Sequence, residues 1–135
     1  MYRSSRPITH RPERDGSAVA YDHVPAYLAL EMASEAWSDA LTHACGEILQ
    51  AVDVMIVNIT SNFSRELLVG IADFDVTVTK IGRTSLVLEV VIAQRGEQST
   101  HAVFTVARVV EGRSQPLTDE QRAALLALAP DSGAD

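Results

Sequence analysis

Several side chains in the first third of the chain can act together on a carbonyl group. Pro25 stands where a helix should begin, because its missing N–H costs nothing at a first helical position. The N–H groups of Ala26, Tyr27 and Leu28 then open that helix without carbonyls behind them, and the helix end carries partial positive charge. Aimed at a carbonyl oxygen, they would stabilise the oxyanion that forms when the carbon is attacked. Glu31 lies about one turn further on. Its carboxylate can reach the same carbon, as a nucleophile or as the base that activates water. His23 would orient the substrate or Glu31. Asp22 is either a second acid or a charge that favours the helix start. The plainer alternative is that Glu31 shares a solvated stripe with Ser34, Glu35 and Ser38. Further along, Lys80 and Arg83 flank a turn, and Thr84 and Ser85 begin a strand. Cations there suit an anionic ligand; alternatively they are solvated hairpin charges.

These groups need elements to hold them. From Ala26 to about Leu49 no proline intervenes, and Leu30, Ala33, Trp37, Ala40, Leu41, Ala44 and Ile48 recur at helical spacing. One long helix is expected, with Tyr27 and Trp37 in the core or at a subunit interface. Everything after it reads as β. Met55, Val57, Ile59 and Phe63 share a parity, as do Phe74, Val76 and Val78, then Leu86, Leu88, Val90 and Ile92, then Ala102, Phe104 and Val106. Such alternation predicts half-buried antiparallel strands. Residues 1–10 form an edge strand, since Pro7 argues against a central one. Leu117 to Leu128 is a short terminal helix that Thr118 can cap. The fold class is α+β, with about five antiparallel strands covering their apolar face with one long helix. The domain spans residues 18–112, with an arm or edge strand over 1–17 and a helix and tail over 113–135.

Composition narrows the chemistry. The chain has 135 residues, 11 basic and 18 acidic groups and a net charge of −7. That length supports one core without staples. The acidic surface disfavours nucleic acid. The exception is residues 1–14, where Arg3, Arg6, Arg11 and Arg14 face Glu13 alone: a basic arm or a solvated terminus. Cys45 is the one cysteine, and the four histidines lack ligand spacing, so no metal is expected. No apolar run reaches the roughly 18 residues of a membrane span, and no apolar region follows the first arginines, so a cytoplasmic protein is expected. No Gly-rich phosphate loop is present, and Gly82-Arg83-Thr84-Ser85-Leu86 lacks the second glycine of a nucleophile elbow.

The run Arg65-Glu66-Leu67-Leu68-Val69-Gly70, then Phe74-Asp75-Val76, then Lys80-Ile81-Gly82-Arg83-Thr84-Ser85-Leu86, resembles the acyl-CoA thioesterases of the 4-hydroxybenzoyl-CoA thioesterase group. Gly96-Glu97 and the tail from Pro116 to Leu125 fit the same pattern. The resemblance implies the hotdog fold, in which an antiparallel sheet wraps a central helix. It implies an acyl-CoA substrate, no cofactor beyond that substrate's own coenzyme A, and a homodimer at least, with the site between subunits. For such a substrate Lys80 and Arg83 are candidates to hold the coenzyme A phosphates, with Arg65 and Arg95 the weaker candidates, and Thr84 and Ser85 either hydrogen-bond the pantetheine amides or only start the strand.

The sequence departs from the group around its catalytic residues. One thioesterase pattern has Asp, three residues, then His-Val-Asn-Asn; here Val19 holds the Asp position, and Pro25-Ala26 follow His23-Val24. Pro25 to Glu31 matches the spacing of a hotdog dehydratase motif, with Ala26 for its glycine. Three readings follow: a thioesterase acting through Glu31, a hotdog protein that binds acyl-CoA without turnover, and a 3-hydroxyacyl-thioester dehydratase or enoyl hydratase.

Overall fold

The computed structural model describes residues 1–131. Five main strands, β1 (Tyr2–Ile8), β2 (Val54–Phe63), β3 (Gly70–Ile81), β4 (Ser85–Gln94) and β5 (Glu97–Val110), form one antiparallel sheet in the order β1-β3-β4-β5-β2. A two-residue strand, β6 (Arg113–Ser114), turns back on β5. Helix α1 (Ala26–Cys45) lies on one face of the sheet, and α2 (Asp119–Leu125) closes one end. Pro7 is tolerated because β1 is an edge strand, paired only with β3.

The helix sits close because its sheet-facing side is small. Ala29, Ala33, Ala36 and Ala40 are fully or almost fully buried, with Leu28, Trp37 and Leu41 beside them. From the sheet, Phe74, Val76, Leu86, Leu88, Val90, Ile92, Phe104 and Val106 are buried completely, as the alternation in β3, β4 and β5 predicts. Trp37 and Phe104 meet across this layer with ring centroids 6.0 Å apart. Burying Phe104 alone contributes about 1.5–3 kcal/mol. Thr118 caps α2 as expected: its hydroxyl accepts from the Gln121 N–H at 3.0 Å, and Gln121 Oε1 accepts from the Thr118 N–H at 2.9 Å.

Two expectations need correction, the end of α1 and the burial of β2. Helix α1 ends at Cys45, four residues short of Leu49, because Gly46 takes φ +57° and its N–H closes on the Thr42 carbonyl. Of the two places expected for Tyr27 and Trp37, Trp37 takes the core, while Tyr27 is 67% exposed in the single chain. Strand β2 is not half-buried: Met55, Ile56, Val57, Ile59 and Phe63 are all exposed. Its parity also breaks at a bulge, where the pairing jumps from Ile56–Val106 to Asn58–Thr105. Ile56 and Ile59 therefore sit opposite the buried Val106 and Phe104 and share the helix-side face. Beyond β2 nothing in the described residues covers that face.

Candidate active site

The start of α1 is held by a short ladder to the loop before β3. The Val24 N–H donates to the Leu67 carbonyl at 2.8 Å, and the Val69 N–H donates to the Asp22 carbonyl at 2.9 Å. His23 and Leu68 form the bridge between them. Pro25 adopts φ −67° and ψ 155°, an extended residue that starts the helix without a side-chain cap. The two bonds that tie Asp22 and Val24 to this loop are backbone to backbone.

The three expected oxyanion donors separate here. Leu28 is buried, and its N–H donates to the Pro25 carbonyl at 3.0 Å, so it is occupied. Ala26 and Tyr27 are exposed residues, and their N–H groups donate to no acceptor among the described residues. They are the two free donors at the positive end of the helix.

Glu31 lies on the same face as Tyr27, one turn along the axis. It is partly buried and ion-pairs with Arg11, whose Nη2 binds Oε1. Oε2 accepts no hydrogen bond among the described residues. Glu31 also opens a groove of about 500 Å³ along the outer side of α1, which continues past Ser34, Glu35 and Ser38 to Arg6 and Asp39. The polar stripe is thus one wall of a groove, and it contains the candidate carboxylate.

His23 and Asp22 take other places. His23 is exposed and pairs through Nδ1 with Glu66, not with Glu31. Asp22 is exposed and contributes its backbone carbonyl to the ladder. Tyr21 links His10 and His23, with ring centroids 5.2 Å and 6.0 Å away.

Lys80, Arg83, Thr84 and Ser85 lie at the other end of the sheet. β3 runs twelve residues from the helix-start loop to that turn, about 35 Å. Lys80 and Arg83 are exposed; Thr84 and Ser85 are partly buried. α2 holds the turn, with Arg122 Nη1 donating to the Gly82 carbonyl at 2.6 Å and the Leu117 N–H to the Arg83 carbonyl at 2.9 Å. One chain does not bring these residues to Glu31. Besides Arg11, Arg65 and Arg95 lie nearer the helix start, in a cleft with Glu66, Gln94 and Glu97; Arg65 pairs with Glu97 at 3.2 Å.

Sequence reasoning missed Arg11 and Gln94 as parts of this region. The excess of arginine over residues 1–14 was the one signal for Arg11; nothing local marks Gln94. Among the described residues, no group of three His, Cys, Asp or Glu side chains is placed to hold a metal. No helix among them is long and apolar enough to cross a membrane.

An antiparallel sheet curled over one long helix defines the hotdog fold. The family model described as the Thioesterase superfamily matches residues 26–100, and the chain belongs to that superfamily. Among solved structures it is similar to a thioesterase from Thermus thermophilus crystallised with coenzyme A and zinc. That pair is 19% identical, covers 93% of this chain and 92% of the other, and has a TM-score of 0.78. A predicted thioesterase from Bacillus stearothermophilus is 16% identical over 98% of this chain and 100% of its own, with a TM-score of 0.76. A probable thioesterase from Escherichia coli is 18% identical over 95% and 98%, with a TM-score of 0.73. These likenesses are of fold. No curated protein matches the chain.

Proposed function

We propose that the protein hydrolyses an acyl-CoA thioester to a carboxylic acid and free coenzyme A, with Glu31 as the base. The observation that carries this reading is the placement of Glu31: one turn from the free N–H groups of Ala26 and Tyr27, with one carboxylate oxygen uncommitted. The two N–H groups polarise the thioester carbonyl. Glu31 takes a proton from water as the water oxygen bonds to the carbonyl carbon. The tetrahedral intermediate collapses, the C–S bond breaks, and the proton passes to the departing thiolate. Direct attack by Glu31, giving an anhydride that water then opens, uses the same groups. No resident cofactor is required, since coenzyme A arrives with the substrate.

The assembled site is a homodimer. Strand β2 has one partner, β5, and leaves its other edge with a row of exposed apolar side chains. A twofold axis beside β2 would set the two edge strands antiparallel. The helix-start end of one sheet would then lie beside the Lys80–Arg83 end of the other, where those cations and Thr84 and Ser85 could take coenzyme A. A cytoplasmic location suits such a substrate.

A thiol-release screen over short, long, branched and aromatic acyl-CoAs tests the reading. Release that falls about a hundredfold or more in Glu31→Gln supports it. Binding of acyl-CoA by calorimetry without any release would favour the non-catalytic reading, which the replaced Asp and Asn-Asn positions motivate. Loss of enoyl absorbance without free thiol would favour the dehydratase.

A further inference from the structure

The N-terminal segment and α1 run in opposite directions, and two arginine–carboxylate pairs join them. The first is Arg6 on the inward face of β1. Its Nη1 donates to Asp39 at 2.7 Å, its Nε donates to Ser4 at 2.9 Å, and its guanidinium lies 5.7 Å from the centre of the Phe74 ring. That side chain is only 15% exposed, and the pair fastens β1 to the helix. The second is Arg11 on Glu31, eight residues back along the helix and about 12 Å nearer its start. Arg11 lies beyond the last residue of β1, which a seven-residue ladder to β3 already holds. Docking the strand does not require it.

We propose that Arg11 is a positioning residue for the thioesterase reaction. The proposal rests on the reading of Glu31 as the base. A glutamate side chain has three rotatable bonds, and Glu35, one turn on, repels its carboxylate. Arg11 counters both. It engages Oε1, the oxygen not needed for the proton, and leaves Oε2 without a hydrogen bond among the described residues. Glu31, through hydrogen bond and attraction, raises the Arg11 guanidinium further above its ordinary range, with smaller contributions from Tyr27 and Glu35. A base misplaced by about 1 Å loses on the order of a hundredfold in rate, so one guanidinium contact can matter for turnover while adding little to folding.

The test compares Arg11→Gln, Arg11→Lys, Glu31→Gln and, as a control arginine outside the site, Arg14→Gln. Steady-state kinetics are measured on the best acyl-CoA from the screen, with thermal unfolding of each variant. The expected result is a kcat in Arg11→Gln reduced about ten- to a hundredfold. KM should stay within about threefold and the melting point should be unchanged, since an exposed pair stabilises little. Arg11→Lys should restore most of the rate, and Arg14→Gln should match the wild type. An unchanged kcat in Arg11→Gln, or a loss confined to KM, overturns the proposal while leaving the thioesterase reading in place. No thiol release by the wild type, or a full rate in Glu31→Gln, removes the reading beneath it and the proposal together.

Discussion

The side-chain amide of Gln94 grips both backbone groups of Leu68: its Nε2 donates to the Leu68 carbonyl at 2.7 Å, and its Oε1 accepts from the Leu68 N–H at 3.0 Å. Leu68 is also the bridge partner of His23, two residues before the helix-starting proline. The end of β4 thereby sets where α1 begins, and with it where the free N–H groups point.

Gln94→Ala should therefore loosen the helix start more than the core. Removing the amide leaves two peptide groups to find water, a cost of about 1–2 kcal/mol in urea unfolding. Hydrogen exchange should rise first at Val24 and Val69, whose N–H groups complete the ladder. Uniform loss of protection across β3, β4 and β5 instead would mean that Gln94 supports the whole fold.

The open edge of β2 makes a second prediction. Ile59 is 42% exposed on the helix-side face of that strand. Ile59→Lys should shift sedimentation from a dimer or larger assembly to a monomer, because a lysine on an edge strand opposes edge-to-edge pairing. A monomeric wild type would contradict the proposed assembly outright.

Phe104 tests the core. It is fully buried and touches the layer under Trp37. Phe104→Ala should cost about 3–5 kcal/mol in chemical denaturation. A loss below about 1 kcal/mol would show that the helix and sheet are not packed as described.

Cys45 makes a prediction about pH. Burial pushes its thiol above the ordinary range, and the residue is only 7% exposed. The thiolate is the reactive form, so the folded protein should resist iodoacetamide at neutral pH and react promptly in urea. Because the folded state binds this proton more tightly than the unfolded state, the contribution to stability is present below the ordinary thiol range. It fades as pH rises through and above that range. Fast alkylation of the folded chain at neutral pH would place Cys45 at the surface.

The buried faces of β3, β4 and β5 were legible because each strand packs one face on the helix, and period-two alternation records that directly. Helix α1 was legible from Pro25 onward for the same kind of reason, and Thr118 announced its own cap. Strand β2 misled because alternation assumes an unbroken register, and a single bulge at Val57 moves every later side chain to the other face. Arg11 and Gln94 escaped because their partners, 20 and 26 residues away, are neighbours only after the chain has folded.

The linear chain by itself determined the element types, the apolar faces of β3, β4 and β5 and the proline-led helix. All of these depend on local conformation and periodicity. Only the tertiary structure decided that Leu28 is spent on Pro25 while Ala26 and Tyr27 stay free, that His23 turns to Glu66, and that Glu31 meets Arg11. Those outcomes depend on which groups long-range packing brings within hydrogen-bonding distance, and no spacing along the chain encodes that.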